Sequence, residues 1–162
     1  MSMDSSARRE SDLVMPEGLE AGVLGGLVVV LVYLVPDMMS GDWLRTPARL
    51  GAVLFGSAAQ ETPIASGGLA GAYTFVHFAG WAITGFAASA LMRLAERRPD
   101  LRRLPPIAFA VWIACMLAVD LWLASADLPV VHLWAGSLVS GAVVGAYLIW
   151  RHPDAVAPVP GA

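Results

Sequence analysis

The chain has 162 residues, which is room for one domain. Hydrophobic residues make up 57% of it and charged residues only 14%, against about 25% in soluble proteins, so the composition excludes a small soluble domain and predicts a membrane protein. The net charge of −3 and the single cysteine, Cys115, further exclude a strongly basic nucleic-acid-binding chain and any intrachain disulfide or cysteine zinc cluster.

The chain begins with a polar segment of mixed charge, residues 1–17, which predicts a disordered or surface-lying tail. After Glu20 the run AGVLGGLVVVLVYLVP carries no charge and predicts a first membrane helix over about 19–39. Arg8-Arg9 ahead of this run mimics an export signal. No small-residue cleavage site follows, however, so we expect the helix to be retained.

Residues 37–68 form the longest predicted connection outside the membrane. Within it, Thr46-Pro47 has the residue types of a helix N-cap followed by the first helical position. The pattern predicts a short amphipathic helix over 47–59. This helix would lie on the membrane surface or dip into the mouth of a bundle.

Three further stretches with almost no charge predict membrane helices over about 69–94, 107–126 and 130–150. The proline-rich tail 153–162 is expected to be disordered. Residues 18–152 then make one membrane domain. The predicted fold is all-α, a four-helix membrane bundle with a short surface helix between its first and second membrane helices.

The arginines predict the orientation of the chain. With four spans, both tails and the loop 93–106 share one side and carry eight of the ten arginines, whereas the other side carries Arg45 and Arg49. The positive-inside rule places both termini in the cytoplasm. The arginines of the loop are Arg93, Arg97, Arg98, Arg102 and Arg103.

The arginine loop has two interpretations, a topology determinant that contacts anionic headgroups or a docking site for an acidic partner. The absence of lysine and the abundance of alanine, glycine and proline are typical of a GC-rich bacterial genome. The expected location is therefore a bacterial inner membrane.

Two rows of small residues at four-residue spacing predict where helices approach closely. Gly18, Gly22 and Gly26 form one row on the first helix. The second row, on the fourth helix, consists of Ser137, Gly141 and Gly145. The two rows could pack against each other inside one bundle or face outward and bind a second chain. We expect the internal arrangement.

Ionisable residues inside predicted spans are candidates for function because burying them in lipid is costly. At the helical rise of about 1.5 Å per residue, these residues fall in the half of the membrane opposite the arginine loop. We expect them to converge, together with two tyrosines, in an outward-facing cavity. The five residues are Tyr33, Tyr73, His77, Asp120 and His132.

The use of this cluster stays open at the level of sequence. Asp120, protonated or paired with His77, would form a hydrogen-bonded clamp between two helices. His77 and His132 could instead supply the axial ligands of haem b, or His77 and Asp120 could belong to a proton or small-solute path. The sequence contains no GxSxG or HExxH motif and no cluster of carboxylates, so no motif predicts an enzyme or a metal site.

Two short strings carry a resemblance to a family. Thr-Pro-x-x-Leu-Gly at 46–51 and Tyr-Thr-x-x-His-Phe at 73–78, followed by Gly85, resemble strings of uncharacterised bacterial four-span inner-membrane proteins. The likeness covers roughly 18–153. It implies the four-span fold and no particular activity.

The residues together predict a non-catalytic accessory or scaffold subunit with no cofactor. Its expected contacts are the lipid bilayer and, through the glycine rows or the arginine loop, a larger membrane complex or a second copy of the chain. The alternative is a haem-binding or proton-conducting protein that uses His77, Asp120 and His132.

Overall fold

The computed structural model describes residues 3–56, 63–124 and 130–157, and within these ranges it contains helices and no strand. The helices are α1 (Met3–Met39), α2 (Arg45–Phe55), α3 (Pro63–Arg97), α4 (Leu104–Leu123), α5 (Val130–Arg151) and the single turn α6 (Pro153–Val156), with one 3₁₀ turn at Pro99–Leu101. The predicted all-α fold with a short helix between the first two membrane helices is confirmed.

Four stretches are long and apolar enough to cross a membrane, namely Met15–Met39, Gly67–Arg97, Pro99–Leu123 and Val131–Arg151. They contain between 21 and 31 residues, and about 20 are needed to cross the hydrocarbon core. The chain is therefore a multi-pass membrane protein.

The ends of the chain differ from the prediction. Helix α1 begins at Met3 and so includes most of the segment 1–17 that we expected to be a disordered or surface-lying tail. Between Met3 and Leu13 there is neither glycine nor proline, so no residue there interrupts a helix that continues from the apolar segment. At the other end, α6 forms a helical turn and buries Ala155, whereas 158–162 lie outside the described residues.

The glycine row of α1 packs against α3, and the expected pairing with the row on α5 is wrong. A Cβ atom on Gly22 would lie 2.6 Å from the carbonyl oxygen of Trp81 and 2.8 Å from the Cα of Ala82. Gly85 completes the crossing from the α3 side, since its own Cβ would lie 2.6 Å from the Gly22 nitrogen. The two backbones touch at this point because neither helix has a side chain there.

The small-residue row of α5 packs against α4. The Ser137 hydroxyl donates to Asp120 on α4, and a Cβ on Gly141 would lie 2.8 Å from a side-chain carbon of Ile113. Gly145 faces Phe109 of the same helix. Both rows are thus internal, as expected, but each has a different partner helix.

Helix α2 closes one end of the bundle. Its residue Leu50 is fully buried, in a cluster with Leu123 of α4 and Leu133 of α5. Gly51 lies so close to Leu69 of α3 that an added Cβ would be 2.8 Å from the Leu69 carbonyl carbon. The helix therefore sits in the mouth of the bundle and does not merely rest on the membrane surface.

The start of α2 departs from the predicted cap. The helix runs from Arg45 to Phe55, so Thr46 and Pro47 lie inside its first turn, whereas the prediction made Thr46 the cap and Pro47 the first helical residue. Leu44 holds the cap position and makes no side-chain hydrogen bond there. The capping acceptor comes from α1 instead.

Candidate functional site

A polar cavity of about 120 Å³ opens where α1, α2 and α5 meet. We call this part of the molecule the α2 end, formed by residues 33–56, 67–73, 120–124 and 131–137. The cavity is lined by Val32, Tyr33, Pro36, Asp37, Ser40, Arg45, Thr46, Arg49, His132 and Leu133. Apolar side chains from α1 and α5 supply part of its wall, and polar groups from all three helices supply the rest.

The carboxylate of Asp37 joins α1 to α2 beside the cavity. It is 5% exposed and accepts two hydrogen bonds from Thr46, one from the backbone N–H at 2.8 Å and one from the hydroxyl at 2.9 Å. A carboxylate at a helix N-terminus satisfies N–H groups that have no partner within the helix and also interacts favourably with the helix dipole. Asp37 thereby fixes the start of α2 over the mouth of the bundle.

Two residues of the predicted cluster, Tyr33 and His132, line the cavity. Tyr33 also packs against the cluster of Leu50, Leu123 and Leu133, and Tyr73 packs against the same cluster. Asp120 lies one turn before Leu123 of the same cluster on α4. Four of the five predicted residues therefore lie around the α2 end.

Asp120 forms a clamp between α4 and α5. It is 6% exposed, and its carboxyl group accepts a hydrogen bond of 2.6 Å from the Ser137 hydroxyl. Ser140, one turn further along α5, donates to the backbone oxygen of Ser137. Asp120 thus holds two helices together, as the clamp interpretation required. The hydrogen bond described for it runs to Ser137 and not to His77.

His77 forms a second clamp, between α3 and α1. Its Nε2 atom donates to the backbone oxygen of Gly26 at 3.2 Å. The ring lies among aromatic side chains, with ring centroids 5.6 Å from Tyr73 and 5.4 Å from Phe78. The Gly26 oxygen is reachable because α1 has no side chain on this face.

The two histidines considered as haem ligands have different surroundings. His77 is half-buried at the contact between α1 and α3, whereas His132 is exposed and lines the α2-end cavity beside Arg45. For the Nε2 atom of His77 to coordinate an iron, it would have to leave the Gly26 oxygen. The present arrangement therefore does not fit a bis-histidine haem site through that atom.

The opposite end of the bundle contains an ionic network that the sequence analysis did not identify. We call it the arginine end, formed by residues 15–20, 93–106 and 151–157. Glu17 of α1 is 2% exposed and accepts a bond of 2.5 Å from the Arg93 guanidinium on α3. The same carboxylate contacts His152 Nε2, and His152 Nδ1 lies 3.0 Å from Glu96.

This network joins α1, α3 and the junction of α5 with α6. Both ring nitrogens of His152 face a carboxylate, Nε2 that of Glu17 and Nδ1 that of Glu96. One turn deeper, the Tyr147 hydroxyl donates to Glu20 at 2.5 Å. Arg93, predicted as a topology determinant, is thus also a structural partner of Glu17.

The sequence carries only weak signals for the residues that were missed. Arg93 and Glu96 have the spacing of helical neighbours, but Glu17 lies 76 positions before Arg93 and 135 before His152. Such distances in the chain do not indicate contact. Asp37 directly follows Pro36 at the end of an apolar run, which is the one local hint of a polar group at a helix end.

No family model, curated protein or solved structure matches the chain. Its function therefore has to be inferred from the arrangement of its own residues.

Proposed function

We propose that the chain is a non-catalytic accessory subunit of a larger membrane assembly, which it joins through the outward face of α4. The observation that carries this proposal is a row of small side chains on that face. Ala110, Ala114 and Ala118 follow one another at four-residue spacing, and all three are exposed. Because small residues let helix backbones approach closely in lipid, such a row favours a partner helix.

Helix α4 is the membrane helix with the weakest attachment to the rest of the chain. Of its 20 residues only Pro105, Asp120 and Leu123 are buried. The described part of α5 buries seven residues, spread from Leu133 to Leu148. Helix α4 therefore offers most of its circumference to the membrane.

The alanine row of α4 lies among larger exposed side chains of the same helix, such as Val111, Val119 and Leu121. It therefore forms a shallow groove between residues that suit contact with acyl chains. The glycine rows that we first considered for partner binding are used inside the bundle, against α3 and α4.

The proposal places the protein in a bacterial inner membrane with both termini in the cytoplasm. Six of the arginines, Arg93, Arg97, Arg98, Arg102, Arg103 and Arg151, belong to the arginine end, whereas Arg45 and Arg49 belong to the α2 end. The positive-inside rule supports a cytoplasmic arginine end. Exposed guanidinium groups there, such as that of Arg98, would contact anionic headgroups.

The substitution Ala114→Leu tests the proposal. A leucine at the centre of the row would keep a partner helix away, while the lipid-facing position still accepts an apolar side chain. Ala142→Leu on the exposed face of α5 is the matched control. Each variant is extracted in a mild detergent, and the size of the assembly is measured by light scattering after gel filtration, with mass spectrometry of the chains that co-purify.

We expect the unchanged protein to elute together with a different membrane protein. Ala114→Leu should reduce the fraction bound to that partner at least about fivefold, which corresponds to about 1 kcal/mol of binding free energy. Ala142→Leu should leave it unchanged. Elution of the unchanged protein as a single chain would contradict the proposal. If only copies of this chain are found together, association through α4 stands and the accessory role is overturned.

A further inference from the structure

The α2-end cavity collects hydrogen-bond donors that suit an anion. Arg45, Arg49 and His132 line it and come from two different helices, whereas the hydroxyl of the fourth polar lining residue, Ser40, already donates to the Asp37 backbone oxygen at 2.7 Å. Arginine presents a planar set of N–H donors that matches the oxygens of a phosphate group. A cavity lined by two arginines therefore favours an oxyanion.

The one carboxylate in the cavity wall does not reverse this preference. Both oxygens of Asp37 already accept hydrogen bonds, each from a different group of Thr46. The carboxylate is buried, whereas the Arg45 and His132 residues are exposed at the cavity. Of the charged residues that the described part of the chain contributes to the lining, Arg45 is exposed, Arg49 is half-buried and Asp37 is buried, so a ligand that approaches the rim meets positive charge first.

The cavity also lies at the depth where lipid headgroups are found. The first candidate span ends at Met39 and the fourth begins at Val131, so the cavity residues Asp37 and His132 lie at the ends of two spans. Trp43, in the connection between α1 and α2, is 64% exposed, as is common for a tryptophan at a membrane interface. Apolar wall residues such as Val32 continue towards the hydrocarbon region.

We infer that the α2-end cavity binds a phosphate group, with Arg45 and His132 as the donors that reach it from the rim. The same chemistry is available from the phosphodiester of an anionic lipid and from free inorganic phosphate. This site is separate from the α4 face, so its test is independent of the proposed association with a partner subunit.

The experiment uses the full chain in a mild non-ionic detergent and measures bound ligand by native mass spectrometry. Three probes are titrated: phosphatidylglycerol, diacylglycerol with the same acyl chains, and inorganic phosphate. The variants are Arg45→Gln and His132→Gln, both at exposed positions, with Arg103→Gln at the arginine end as the matched control. Thermal melting of each variant verifies that the fold is kept.

We expect phosphatidylglycerol to bind at one tight site and diacylglycerol not to bind there. Arg45→Gln should weaken this binding about tenfold, because one charge-assisted hydrogen bond is lost, and Arg103→Gln should leave it unchanged. Binding of inorganic phosphate with the same dependence on Arg45 would support the site and identify free phosphate as its ligand. Equal binding of diacylglycerol, or equal loss in Arg45→Gln and Arg103→Gln, would overturn the inference.

Discussion

At the arginine end, the buried carboxylate of Glu17 contacts the Arg93 guanidinium and the His152 imidazole, which come from two other parts of the chain. At the α2 end, the buried carboxylate of Asp37 accepts hydrogen bonds from Thr46 of the adjacent helix, its one side-chain partner among the described residues. The first arrangement ties α1, α3 and α5 together. The second fixes one short helix over the mouth of the bundle and leaves a cavity open beside it. A buried carboxylate thus closes one end and shapes an opening at the other.

Close helix packing and polar contacts stabilise the arginine end together. At the arginine end the network of Glu17 lies next to the glycine crossing of α1 and α3, where the backbones touch. At the α2 end the side chains of Tyr33 and Tyr73 pack against the apolar cluster of Leu50, Leu123 and Leu133, and the residues that the structure describes form no ionic network beside it. We therefore expect the arginine end to contribute more to the stability of the bundle.

The largest effect is expected for Glu17→Ala. It removes a partner of Arg93 and a partner of His152, and breaking ion pairs at a carboxylate as buried as that of Glu17 costs about 3 kcal/mol. The free energy of unfolding can be measured by titration with a denaturing detergent in mixed micelles. Asp100→Ala, at an exposed position of the same end, is the control and should cost less than about 1 kcal/mol. Equal losses in the two variants would mean that the network does not stabilise this end.

A somewhat smaller effect is expected for Gly22→Ala. The added methyl group would meet backbone atoms of Trp81 and Ala82, which cannot move aside without separating α1 from α3. Overpacking of this kind costs about 2 kcal/mol. Gly80→Ala on α3 has no atom within 4 Å of the added group and should be neutral or stabilising by up to about 1 kcal/mol. The same unfolding titration compares them, and a tolerated Gly22→Ala would remove the case for a close crossing.

The smallest effect of the three is expected for Asp37→Ala, at the α2 end. Two donors of Thr46 lose their acceptor, and the loss of a helix cap costs about 1–2 kcal/mol. Asp42→Ala, on the exposed connection to α2, should stay within about 0.5 kcal/mol of the unchanged protein. If Asp37→Ala proves more costly than Glu17→Ala, the ranking of the two ends is reversed.

The membrane helices could be predicted from the sequence because each depends on a local property, a stretch of apolar residues long enough to cross the bilayer. The small-residue rows could be predicted for the same reason. The helix that packs against each row could not be predicted, because the spacing of small residues along one helix indicates a close approach without identifying the partner helix. Gly22 meets Trp81 and Ala82 of α3, and Gly141 meets Ile113 of α4, contacts that depend on how the four helices are arranged around one another.

The residues of the candidate site also divide into those that could be predicted from the sequence and those that could not. Tyr33, Asp120 and His132 could be placed near one end of the bundle from their depth in the helices alone. The two arginines of the cavity were counted only for orientation, because nothing in the sequence shows that α2 turns them towards α5. Asp37 was missed as a cap because a helix is usually capped by a residue that directly precedes it, and here the acceptor lies nine positions earlier.

The central claim is that the chain crosses the bilayer so that the arginine end and the α2 end lie on opposite faces, with the arginine end in the cytoplasm. Single cysteines at the exposed positions Trp43 and Asp100, in a chain whose Cys115 is replaced by alanine, test it directly. In intact cells an impermeant maleimide should label the cysteine at position 43 and reach position 100 only after the membrane is opened. Labelling of both positions from outside, or of position 100 alone, would contradict the account.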